Sequence, residues 1–256
     1  MGYVFDFQNA DKYDAWFDQP RPRHGFALEI GLIRKLMAPK SGQRLLDIGC
    51  GTGMSLVPFL DDGMSLTGID PSPYMLDVAA AKLGDRVDLH RGPAEDLPFD
   101  DNAFDTALLF TSLEFTERPA KAIEEACRVA KDQVIIGVLN RYAPLNMGRR
   151  AKAVVVPSLY THAHFFSIWE LKMMLRAILG RVPVKWGTTL QFPFLSGSWV
   201  AWVENLGLVQ KNYFGTFIGM RIKPVPKFRT RPLALKISTR KIYKPATGLV
   251  TGLRQQ

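Results

Sequence analysis

Residues 44–53, RLLDIGCGTG, join a short apolar run to three glycines at 49, 51 and 53, each separated by a single residue. Arg44–Ile48 reads as a buried parallel strand. Glycines directly behind such a strand let the chain turn sharply and bring bare backbone against a ligand. A second apolar run, SLTGID at 65–70, ends in Asp70, roughly 20 residues beyond the loop, where a βαβ unit places an acid to bind ribose hydroxyls. The two stretches together predict an α/β protein holding a nucleotide-like ligand outside the carboxyl ends of its strands.

The spacing Gly49-x-Gly51-x-Gly53 brings the third glycine one residue earlier than the dinucleotide fingerprint requires, which argues against NAD. DIGCGTG followed by GIDPS resembles the first two motifs of the class I S-adenosylmethionine-dependent methyltransferases. RGPAEDLPFDDNAFDTALLFTSLEF at 91–115 is similar to the third and fourth motifs of the broad small-molecule group that includes ubiquinone and menaquinone biosynthesis methyltransferases. The resemblance spans about residues 40–140. It implies a Rossmann-like, doubly wound seven-stranded sheet in the order 3-2-1-4-5-7-6, with strand 7 antiparallel and helices on both faces. It also implies S-adenosyl-L-methionine as methyl donor and S-adenosyl-L-homocysteine as product.

Carried onto this chain, the resemblance puts Asp47, Gly49, Cys50, Gly51 and Gly53 around the methionine half of the cofactor. Asp47 then orients the loop and the amino group, directly or through water. Asp70 takes the ribose hydroxyls, with Pro71 beside it; an acid at a strand end also has the simpler use of capping the next helix. Met75 either touches the adenine or fills the core. The family commonly continues with Gly-Asp-Ala-Glu, whereas this chain reads Gly92-Pro93-Ala94-Glu95-Asp96. Proline offers neither carboxylate nor amide proton, so adenine recognition falls to the Ala94 backbone, Glu95 or Asp96. Phe110, Thr111, Ser112, Leu113 and Glu114, at the carboxyl end of the predicted strand 104–111, should border the reacting methyl group.

Helical spacing over Phe26–Met37 predicts a helix stopped by Pro39, and Met54–Leu60 is expected to begin the first helix after the glycine loop. Pro71-Ser72 opens another helix running to Leu83, and a further one covers Pro119–Ala130. Residues 86–92 and 134–139 read as strands three and five, and 182–192 and 213–223 as the closing pair. Ser167 with Glu170 forms a capping-box pattern for a helix at 168–179. The stretch 140–166 reads as irregular. The chain divides into a methyltransferase domain, 1–223, and a basic appendage, 224–256. Within the domain, 1–40 supply an N-terminal lid and helices, and 141–166 an insertion near the active site.

The formal charge is +9, but Lys and Arg number 22 in residues 1–210 and 11 in 211–256, while all 24 acids lie at or before Glu204. The body is therefore slightly acidic and the tail strongly basic, suited to a peripheral contact of 224–256 with an anionic membrane; nucleic acid is the less favoured partner. Two cysteines without metal spacing, no signal-peptide pattern and no apolar run of ~18 residues predict a cytoplasmic protein, with membrane contact at most peripheral. No metal site is expected, and the sequence is silent on oligomeric state. Tyr160, His162 and His164 alternate in YTHAHFF and are the candidates for a general base. The expected activity is methyl transfer to a small, apolar or lipid-like acceptor by in-line displacement. Alternatives are an RNA methyltransferase using the basic tail and a non-catalytic cofactor-binding regulator or assembly factor.

Overall fold

The computed structural model describes residues 2–5, 19–155, 161–192, 195 and 198–224. Helix α1 (Pro20–Met37) begins earlier than its apolar spacing indicates, because proline in a first turn forfeits no helical hydrogen bond. Strand β1 (Arg44–Ile48) follows, then β2 (Ser65–Asp70). Between them the helix expected at Met54–Leu60 is not built; the segment holds turns and a single 3₁₀ turn at Val57–Phe59. Pro58 lacks the amide that a continuing helix would donate, and so few residues separate Gly53 from β2 that a full helix has no room.

Helix α2 (Pro73–Leu83) is capped by Ser72, whose Oγ accepts from the Met75 amide at 3.3 Å. Then come β3 (Val87–Arg91), β4 (Phe104–Phe110), α3 (Pro119–Val129) and β5 (Ala130–Leu139). Part of the stretch expected to be irregular is helical: α4 spans Pro144–Val155. It is anchored by a buried amide rather than an obvious apolar stripe, since Asn146 Nδ2 donates to the Asn140 and Thr216 carbonyls at 2.9 and 2.8 Å. Helix α5 (Ile168–Leu179) carries the anticipated capping box, and β6 (Val184–Thr189), α6 (Ser198–Glu204) and β7 (Phe217–Ile222) complete the chain.

The sheet order is β3-β2-β1-β4-β5-β7-β6, parallel except for β7, which runs antiparallel to both neighbours. Side chains alternate between two cores. Leu46, Ala107 and Ile136 face α3 and α5, whereas Leu45, Leu108 and Ile135 face α1 and α2. Gly137, Gly219 and Gly187 lie side by side across β5, β7 and β6 and leave a trough for α1. A Cβ on Gly219 would come within 2.8 Å of Leu36 Cδ1 and 3.0 Å of Leu32 Cδ2. The missing side chains let this helix lie close on the sheet, which carries Phe26 to the strand ends. Among the described residues, no helix is long and apolar enough to cross a membrane. Residues 6–18 of the expected N-terminal lid segment, the residue Tyr160, and the basic stretch beyond Pro224 lie outside the described residues.

Candidate active site

A 360 Å³ cavity opens at the carboxyl ends of β1, β2 and β4. Its floor is the glycine loop. The Gly49 and Cys50 amides both donate to the Ile69 carbonyl, at 2.7 and 3.0 Å, and tie the loop to β2. Gly49 has φ +74°, and a Cβ there would collide with Ser112, whose hydroxyl donates to the Ile48 carbonyl at 2.7 Å. Gly51 also has positive φ, +53°, but a Cβ there would meet nothing within 4 Å. Its missing side chain faces open space in the cavity wall, whereas that of Gly49 is needed to seat β4 against the loop.

Asp70 lines the cavity from the end of β2 and is 7% exposed. Its two oxygens accept from the Gly51 and Ser72 amides, each at 2.9 Å, which fixes the carboxylate plane and leaves further lone pairs for hydroxyl donors. Burial pushes its pKa up to about 6 against the pull of those two amides. Asp47 is fully buried beneath the loop and does not line the cavity, but its partner Ser55, which donates to Oδ2, does. Burial raises the Asp47 pKa to about 7; the Ser55 bond opposes this and the Asp70 charge adds to it. Its Oδ1 has no hydrogen-bond partner. Sealed behind the loop, this carboxylate acts on a cationic amine in the cavity through its charge and not by direct contact.

Cys50, Pro71, Met75, Ala94, Glu95, Phe110 and Thr111 all line the cavity. Gly53 does not: a Cβ there would press on Leu83 and Ala79, so this glycine serves the packing of α2. Glu95 is partly committed elsewhere, because its Oε1 accepts from the Glu117 and Arg118 amides at 3.1 and 3.3 Å. Pro93 and Asp96 stand beside it in the wall. The histidines are not brought to the cavity. His164 is exposed and bonds Glu170 Oε1 at 2.8 Å and Arg141 Nη2 at 3.0 Å, while His162 stacks on Tyr3 at 4.4 Å. A general base from YTHAHFF is therefore not supported for either histidine. Among the described residues no three metal-ligating side chains converge.

Three further features lie at or beside the cavity. Residues 2–5 cross the cavity as a strap, with the Tyr3 amide donating to the Phe115 carbonyl at 3.0 Å and Ser72 Oγ donating to the Phe5 carbonyl at 2.6 Å. Phe26 from α1 packs edge-on against Phe110 at 5.8 Å and lines the same cavity. Glu114 is buried at the end of β4, with Oε1 accepting from the Leu139 amide at 2.7 Å and Oε2 without a partner. Burial pushes its pKa, like that of Glu29 on α1, to about 8. The strap falls within the segment 1–40 expected to supply a lid, and Glu114 closes the stretch 110–114 expected to border the methyl group, but its burial was not legible locally because tertiary packing sets it.

Residues 46–137 match the model of the methyltransferase domain family. An uncharacterized protein of Methanocaldococcus jannaschii is 38% identical over 177 residues, covering 68% of this chain and 80% of its own. A demethylmenaquinone methyltransferase of Paenarthrobacter aurescens is 34% identical over 134 residues, covering 48% of this chain; the match spans 53% of the relative. In three dimensions the chain is similar to an S-adenosylmethionine-dependent methyltransferase of Thermotoga maritima described as a possible histamine N-methyltransferase. The TM-score is 0.68 at 26% identity, over 85% of this chain and 96% of that one. Sheet order, glycine loop and paired acid define a class I methyltransferase, and the chain belongs to the S-adenosylmethionine-dependent methyltransferase family. S-adenosylmethionine is its cofactor.

Proposed function

We propose that this enzyme methylates a small, apolar or lipid-like acceptor held against the aromatic end of the cavity. The observation that carries this reading is the wall itself: Phe26, Phe110, Phe115, Tyr3 and Phe5 surround the end of β4, where class I sheets present the acceptor. The half-length likeness to demethylmenaquinone methyltransferase points the same way. The bound cofactor supplies an activated methyl group. The chain's own residues then have to hold the reactants in line and exclude water.

In this reading Asp70 takes the ribose hydroxyls, Asp47 and the Gly49–Gly51 backbone the methionine end, and Met75 a face of the adenine. Asp96, which lines the wall three residues beyond Pro93, the residue at the position of the family's customary acid, takes the adenine amino group with the Ala94 backbone. Glu114 and Glu29 do not line the cavity; burial favours their neutral carboxyls, so they add little negative charge behind the acceptor. No dedicated base is required. The test is S-adenosylhomocysteine release with a short-chain demethylmenaquinone, histamine and a structured RNA as acceptors. Turnover with the quinone alone is expected; turnover with histamine or RNA and none with the quinone sinks the proposal.

A further inference from the structure

Charge is divided sharply along the chain. Residues 1–139 hold 14 Lys and Arg against 22 Asp and Glu, whereas residues 140–223 hold 11 against 2. The basic half also carries a ladder of rings on the α5 side of the sheet edge. Tyr142 meets Trp169 edge-on at 5.9 Å, Trp169 stacks on Tyr213 at 5.1 Å, and Tyr213 leans on Trp186 at 5.1 Å. Lys172 and Lys211 place their ammonium groups 4.9 and 4.7 Å from the Trp186 ring centre. Trp169 is 55% exposed, Met173 one turn further along α5 is 68% exposed, and Phe214 beside Tyr213 is 59% exposed.

The ladder hangs from the strand end that borders the active site. Asn140, directly after β5, donates from Nδ2 to the Tyr213 carbonyl at 2.7 Å, and Tyr142 lies two residues on. Leu139, the last residue of β5, gives its amide to Glu114. An occupant of the ladder would therefore sit near the carboxyl end of β5, the strand beside β4 in the sheet.

We propose that this face docks on an anionic lipid bilayer, with the rings and Met173 at the headgroup boundary and Lys172 and Lys211 among the lipid phosphates. Amphipathic rings next to ammonium groups are what that boundary accepts. Nucleic acid would need free ring faces for stacking. Here a face of Trp169 is taken by Tyr213 and Trp186 is overlain by lysines, while the most exposed apolar member, Met173, stacks no base. The excess of positive over negative side chains in residues 140–223 supplies the charge complementarity. The contact is separate from residues 224–256 and does not depend on which acceptor is methylated.

The test is sedimentation of the full chain with phosphatidylcholine vesicles, with and without roughly one-third phosphatidylglycerol. Trp169→Ser/Phe214→Ser and Lys172→Ala/Lys211→Ala are run beside it, and S-adenosylhomocysteine affinity serves as the folding control. Binding only to the anionic vesicles is expected, weakened on the order of 30-fold by loss of the two lysines at ~1 kcal/mol each. The Trp169/Phe214 variant should lose about tenfold or more while keeping cofactor affinity. Equal vesicle binding by wild type and both variants overturns the proposal, because the remaining basic residues would then suffice. Absence of vesicle binding overturns it too, and a structured RNA bound in its place and lost in the same variants would reassign the face. If one double variant fails to fold, the other decides.

Discussion

Two glycines in one loop have opposite tasks, and alanine separates them. At Gly51 an added methyl meets no protein atom, so Gly51→Ala should cost only the left-handed strain of about 1 kcal/mol in stability. It should nevertheless weaken S-adenosylhomocysteine binding at least tenfold, read by calorimetry, because the methyl enters the ligand's space. Gly49→Ala runs into Ser112 and should unfold at markedly lower temperature whether or not cofactor is present. Asp47 gives a pH signature. Its pKa near 7 means that pairing with the cofactor's ammonium group displaces a proton below that value. S-adenosylhomocysteine affinity should therefore rise between about pH 5 and pH 7, approaching tenfold per unit at the acid end, and Asp47→Asn should flatten the curve. The places of Asp47 and Asp70 at the strand ends could be read from the glycine turn and the motif resemblance, because both sit at fixed distances from that turn. Glu95 could not, since its engagement with the Glu117 and Arg118 amides depends on a loop folding back from elsewhere in the chain.

Among the elements, α1 and the loop after β3 shape the cavity from opposite sides. The first depends on the glycine trough. Gly219→Ala puts a methyl 2.8 Å from Leu36 and should cost about 1–3 kcal/mol as α1 lifts, with the acceptor KM rising because Phe26 moves with it. The second depends on Arg128. This guanidinium bonds Glu125 Oε2 at 2.7 Å, Asp101 Oδ1 at 2.9 Å, and the Leu97 and Phe99 carbonyls at 2.9 and 2.7 Å. It clamps the segment following Pro93–Asp96 to α3. Arg128→Ala leaves buried Glu125 with Lys121 Nζ, 3.7 Å away, as its remaining countercharge and should cost about 3 kcal/mol, seen as a lower denaturant midpoint. Most elements were legible: short apolar runs gave the strands, and Ser167 with Glu170 gave the start of α5. The failures share a cause. The 54–60 helix was inferred from position in a βαβ unit although Pro58 forbids it, and α4 was missed because Asn146, a polar residue, is its buried anchor.

For the whole molecule, cofactor and fold are linked through the acids that burial has raised. Asp47, Asp70, Glu29 and Glu114 have folded pKa values of about 7, 6, 8 and 8, all above the ordinary carboxylate range. Between pH 4.5 and 8 the folded chain holds protons that the unfolded chain has released, so raising the pH favours unfolding. Glu125, whose pKa the Arg128 and Leu97 bonds lower against the burial that opposes them, acts with the other sign, but its contribution is complete above its ordinary value. The cofactor-free protein should therefore melt at progressively lower temperature from about pH 5 to pH 8. Saturating S-adenosylhomocysteine opposes this, because its ammonium group makes the ionised Asp47 the favoured form. At a hundred times Kd it adds about 2.7 kcal/mol by mass action, which for a chain of this size is a rise of roughly 5–10 °C in Tm. The rise should be larger at pH 7.5 than at pH 5.5, and Asp70→Ala should abolish it at both. A cofactor-free Tm that does not change across this range, or a ligand shift independent of pH, would show that these carboxyls are not the link between the cleft and the stability of the sheet beneath it.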